Sequence, residues 1–107
     1  MDKGIRLIEL AGRLDAAGIK EIEAAFTDYC AGEGIRMLVD LSEVDSVASD
    51  GIRFLTKIAR SLAGRGGKMA LLNPIAGVQT GLEKAGVPSV IPTYSYFESA
   101  ETVLLAA

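Results

Sequence analysis

The 107-residue chain contains no histidine and no tryptophan, a single cysteine and three prolines. Without histidine, neither a Ser-His-Asp or Cys-His nucleophilic apparatus nor a histidine-bearing zinc site can be assembled. One cysteine, Cys30, permits no internal disulfide and no cysteine metal cluster, a usage that fits a reducing cytoplasm. Positive charge is scarce as well: 11 Lys and Arg stand against 14 Asp and Glu, for a net charge of −3. That balance argues against a nucleic-acid partner, which takes an excess of cationic side chains to neutralise phosphates. Long hydrophobic runs are missing. The longest uncharged stretches, Met69–Leu82 and Ala85–Phe97, fall short of the ~20 residues a membrane span requires, and both carry Pro and Gly. The first residues, MDKGIRLIEL, show no signal-peptide pattern. These absences predict a cytoplasmic, non-catalytic protein without metal or cofactor, with neither nucleic acid nor membrane as a partner.

Half of the residues are apolar, and a chain of this length suits one domain, residues 1–107, able to bury roughly two-thirds of its unfolded surface. Ile5–Leu10 alternates apolar with polar side chains and predicts a strand. Gly12 is read as a turn, with Arg13-Leu14 as a short second strand that adds an antiparallel edge. Asp15 is a candidate N-cap for a first helix whose apolar face is Ile19, Ile22, Phe26 and Tyr29 or Cys30. Gly32 and Gly34 end it. Arg36–Leu41 predicts a buried strand, and Ser42–Ser49 (SEVDSVAS) a loop. A second helix follows from about Gly51 to Ala63, with Ile52, Leu55, Ile58, Ala59 and Leu62 inward and Arg53, Lys57 and Arg60 outward. Lys68–Leu72 predicts another strand. Asn73-Pro74 reads as a helix start, with Asn73 capping and Pro74 at the first helical position. Ile75, Val78 and Leu82 form the third helix's inner stripe, and Gly86 stops it. Val90-Ile91 is read as a last short strand. Ser95 and Glu98 have capping-box spacing before a C-terminal helix whose Phe97, Ala100 and Leu104 face inward. The alternation predicts an α/β fold: a mixed, mainly parallel sheet of four to five strands with about four helices.

Some motifs fail on inspection. Gly64-Arg65-Gly66-Gly67-Lys68 is not a phosphate loop, because Leu62 stands where the first glycine belongs, Met69 is not Ser or Thr, and a strand follows instead of a helix. Cys30 reads as an apolar filler at a helix end, since nothing basic pairs with it in sequence. The acidic residues Asp40, Glu43, Asp45 and Asp50 invite a receiver-type phosphoacceptor reading. That reading wants an acidic pair after the first strand, where Leu10-Ala11-Gly12 stands.

GRLD at Gly12–Asp15, LVDLSEVDSVASDGIRFL at Leu38–Leu55, and GGKMALLNP at Gly66–Pro74 followed by Val78, Leu82-Glu83 and Gly86-Val87 together resemble the sulfate-transporter and anti-sigma-factor-antagonist (STAS) family. Within it the chain is most similar to the stand-alone bacterial antagonists. The resemblance implies a regulatory module that binds an anti-sigma factor, itself a serine kinase, and thereby controls sigma-factor-dependent transcription. In that family, phosphorylation of a serine in a D-S-S-G segment dissolves the complex and a phosphatase restores it. Here D-S-S-G aligns with Ala48-Ser49-Asp50-Gly51, so the implied phosphoacceptor position carries a carboxylate with no hydroxyl to modify. Ser46 stands where the family commonly has a large apolar residue, and Arg53 where it often has glycine.

Asp50 then has two readings: a fixed charge that partly imitates a phosphoserine, one charge against nearly two, or a helix N-cap. Arg53 can pair with it at i+3. Ser49 is either an ordinary capping serine or a displaced phosphorylation site. Arg53, Lys57 and Arg60 form either a basic stripe toward an acidic partner or a solvated face. The implied contact surface comprises Asp45, Ser46, Ala48, Ser49, Asp50, Gly51, Arg53, Lys57 and Asn73. Two alternatives from other classes are a small-molecule- or nucleotide-sensing STAS module, and an aspartate phosphoacceptor using Asp50 or Asp45.

Overall fold

The computed structural model describes residues 4–105. Four strands lie in the order β1-β2-β3-β4: β1 (Ile5–Leu14), β2 (Arg36–Val47), β3 (Lys68–Leu72) and β4 (Thr93–Tyr94). Every neighbouring pair is parallel. Four helices alternate with them: α1 (Ala16–Tyr29), α2 (Ser49–Gly64), α3 (Ala76–Lys84) and α4 (Phe97–Leu104). A 3₁₀ turn, Val87–Ser89, precedes β4.

Strands added always on the same side, with right-handed crossovers, put their connecting helices on one face. Accordingly Ile19 and Phe26 of α1, Leu55 and Leu62 of α2, and Val78 and Leu82 of α3 share one core with Met37, Val39 and Leu41 of β2 and Met69 and Leu71 of β3. At its centre Phe26 meets Phe54 edge-on, ring centroids 5.2 Å apart. Among the described residues the opposite face carries only α4, whose Ala100 and Leu104 cover Ile5, Leu38, Ala70 and Leu72.

Several expectations change here. The opening hairpin is absent: Gly12, at φ 80°, does not reverse the chain, and β1 continues to Leu14. The sheet of described residues is therefore wholly parallel instead of mixed. The segment read as the loop Ser42–Ser49 is strand through Val47, because Ala11–Leu14 and Glu43–Val47 pair with each other. Two register shifts let β2 fit extra residues against β1. Asn73 does not cap α3. It sits at φ 51°, and its N–H donates to the Tyr94 carbonyl at 2.7 Å. That bond, with Leu71 N–H donating to Pro92 O at 2.9 Å, selects Thr93–Tyr94 as β4 in place of Val90-Ile91. The N-caps of α3 and α4 are Ile75 and Tyr96, without a side-chain cap bond; Ile75 is exposed, and Ser95 precedes the cap of α4 by one residue.

Other expectations hold. Asp15 caps α1, its carboxylate accepting from the Gly18 N–H at 2.9 Å. Lys68–Leu72 is the third strand, and Ala100 and Leu104 face inward. Along α2, Phe54 takes a buried place not foreseen, and Ile52 is half-buried.

The start of helix α2 as candidate site

Beyond the level of Leu72, which pairs with Asp40, β3 stops while β1 and β2 run on together as a two-stranded projection. Asp45 and Ser46 are exposed near its tip. The chain turns there into α2 with Ala48 as the N-cap. Ala48 has no side-chain acceptor to offer, and the turn is held from the backbone instead. Its N–H donates to the Leu14 carbonyl at 3.0 Å, and its own carbonyl accepts from Ile52 N–H at 3.1 Å.

Gly51 fixes the approach of helix to strand. A Cβ at that position would stand 2.3 Å from the Leu14 carbonyl oxygen and 2.9 Å from Leu14 Cβ, so only glycine lets α2 seat so closely. Leu14 is a positioning residue that the sequence did not reveal, because its role lies in a carbonyl 34 positions or more from its partners. Gly51 is buried. It shapes the surface and is not itself presented on it.

Asp50 is the second residue of α2, in the first turn, and therefore not the N-cap. An anion there lies near the positive end of the helix dipole. Its carboxylate pairs with the Arg53 guanidinium through Oδ1 and Nη2, with side chains 45% and 74% exposed respectively. An i,i+3 pair so open to water contributes only a few tenths of a kcal/mol. The pair does place a cation directly beside the carboxylate. Ser49 is exposed beside it, and Lys57 and Arg60 continue the outward face. Asn73, by contrast, follows directly on Leu72 at the end of β3. It lies several residues short of the projection's tip, on the order of 15 Å back at ~3.3 Å per strand residue.

Among the described residues no group of three or more His, Cys, Asp or Glu side chains is gathered in a metal-binding arrangement. Asp40 instead accepts from Ser42 N–H at 2.9 Å. No described helix is long and apolar enough to cross a membrane. Cys30 is buried at the end of α1, and burial pushes its thiol up to about 11 against the lowering influence of Arg65 and Arg6. The unfolded thiol ionises near 8.5, so above that pH the unfolded chain loses a proton the folded chain keeps. Stability is thus full below the unfolded value and falls as pH rises from there toward the folded one. Urea midpoints measured from pH 8 to 11 should show this fall, and Cys30→Ala should flatten it.

The sequence matches the STAS domain family over residues 2–100, and the chain belongs to that family. Among solved structures it is similar to an anti-sigma factor antagonist from Mycobacterium paratuberculosis, with a TM-score of 0.87, 18% identity, and coverage of 99% of this chain and 90% of that one. The antagonist SpoIIAA in its unphosphorylated form superposes with a TM-score of 0.76 at 20% identity, covering 100% and 95% of the two chains. The STAS domain of a SulP transporter from Vibrio cholerae gives 0.74 at 22% identity, covering 98% and 84%. No curated protein matches the sequence.

Proposed function

We propose that this protein is a regulatory binding module of the anti-sigma-factor-antagonist type, with its contact surface at the tip of the β1–β2 projection and the first turns of α2. The observation that carries this reading is the exposed Asp50–Arg53 pair on the second residue of α2, the position aligned with the family's phosphoacceptor serine. Asp45, Ser46, Ala48, Ser49, Arg53 and Lys57 surround it, and Gly51 holds the helix in place. Asn73 flanks the surface at its base. The partner is a serine-kinase-type anti-sigma factor, which cannot add phosphate to residue 50.

The ion pair bears on the direction of the switch. A phosphoserine would add about −1.5 to −2 charge, whereas Asp50 contributes one charge that Arg53 offsets. With Lys57 and Arg60 alongside, the face is neutral to basic and carries less negative charge than a phosphoserine there would give it. The module is therefore constitutively competent to bind, and its phosphatase has nothing to remove at residue 50. Incubated with the kinase-type anti-sigma factor of its own genome and ATP, the natural protein should show no mass increase on residue 50. Asp50→Ser should gain one phosphate, about 80 Da, which the natural protein lacks. Phosphate on Ser49 in the natural protein would contradict a permanently competent module.

A further inference from the structure

Strand β1 lies at the end of the sheet, and among the described residues no strand pairs with its outer edge. The edge is ten residues long and contains neither Pro nor Lys, two common devices by which edge strands avoid pairing. Its register shifts place the extra residues in β2: Glu9 to Ala11 spans two steps where Asp40 to Glu43 spans three. β1 therefore gains no extra residue, and its side chains alternate between the two faces on either side of Gly12, itself at φ 80°. Ile8, Leu10 and Leu14 pack into the helix-covered core. On the other face Leu7, Glu9, Ala11 and Arg13 are exposed. Beside the edge, between β1 and α1, runs an open, mostly apolar groove of about 420 Å³, lined by Leu7, Ile8, Leu10, Ile22, Ala25 and Tyr29 among others.

We infer that this edge pairs with the β1 edge of a second copy of the chain, antiparallel about a twofold axis at Ala11. A twofold axis normal to the sheet makes a strand edge its own complement, and it requires residues of equal parity to face each other. The charge pattern selects the register. With the axis at Ala11, Glu9 stands opposite Arg13 of the second copy, and this pair occurs twice. On the helix-covered face Leu10 meets Gly12, where no side chain competes for the space. An axis at Glu9 would oppose two carboxylates, and an axis at Ile8 would place Glu9 against Leu7. Glu9 and Arg13 form no ion pair within the described residues of one copy.

A short paired edge belongs with the small, weak and transient interfaces. Sedimentation equilibrium of the 107-residue chain should give a dimer at about 100 µM that dissociates on dilution. Glu9→Arg or Arg13→Glu should each weaken it by about tenfold or more, through loss of two cross-strand pairs and gain of like-charge contacts. The double exchange Glu9→Arg/Arg13→Glu should restore it. In addition, Ala11→Cys should cross-link to a disulfide dimer under mild oxidation, since directly opposed Cα atoms in an antiparallel pair lie ~4.5–5.5 Å apart, within disulfide range. A chain that remains monomeric at that concentration, with no cross-link at position 11, overturns the inference. A dimer that ignores both charge reversals overturns it equally.

Discussion

Gly51→Ala is expected to destabilise the protein by about 3 kcal/mol, the upper range for forcing extra atoms into a packed place. The reason is local. The new Cβ would fall 2.3 Å from the Leu14 carbonyl oxygen, and that oxygen already accepts the Ala48 N–H. Backbone stands on both sides of the clash, so relief requires the first turn of α2 to move off β1. Ordinarily Gly→Ala in a helix is stabilising, by up to ~1 kcal/mol. Gly64, at the far end of the same helix, has nothing within 4 Å of the point a Cβ would occupy, so Gly64→Ala should show that ordinary gain. Urea unfolding of the two variants should move the midpoint in opposite directions. Equal, small shifts would mean that the close seating of α2 on Leu14 is wrong. Because the same movement displaces Asp50 and Arg53, Gly51→Ala should also weaken partner binding even where the variant remains folded.

Phe26→Ala should cost about 3–5 kcal/mol, the range for removing a fully buried aromatic side chain. Phe26 is 0% exposed, and its edge-on contact with Phe54 ties α1 to α2. Such pairs add ~0.5–1.5 kcal/mol beyond the area they bury. In a domain of this size that loss is a large part of a total stability of ~5–15 kcal/mol, so the variant is expected to be largely unfolded near 37 °C. Phe26→Leu, which keeps most of the volume, should cost far less. The circular dichroism melt of the two variants separates loss of packing from loss of the aromatic contact.

The helices and the strand β3 are legible in the sequence because their signals are local: Asp15 ahead of an apolar stripe, glycines after the first three helices, five apolar-rich residues at Lys68–Leu72. What the sequence hides depends on pairing between distant segments. Ser42–Val47 is polar at four of six places and looks like a loop, yet it is strand because Ala11–Leu14 lies alongside. Gly12 reads as a turn, and its left-handed backbone is absorbed within a strand. Val90-Ile91 has the β-branched composition of a strand, but the ladder takes Thr93–Tyr94, two residues later. At the site the pattern repeats. Asp50 stands out through family resemblance and its pairing with Arg53 through i,i+3 spacing, both properties of the local sequence. The cap at Ala48 and the place of Leu14 do not, because an alanine carries no cap signal and a carbonyl carries no residue identity. Asn73 joins the site only through its neighbourhood in the family pattern, whereas β3 ends well before the tip.

The proposed function turns on an unswitchable carboxylate, paired with Arg53, at the start of α2. Calorimetric titration of the serine-kinase-type anti-sigma factor into the natural protein and into Asp50→Ser, each with and without ATP, tests it most directly. The natural protein should bind with the same affinity in both conditions, while the Asp50→Ser complex should weaken once ATP is present. Loss of the natural complex on adding ATP, or no binding by the natural protein where Asp50→Ser binds, would contradict the account.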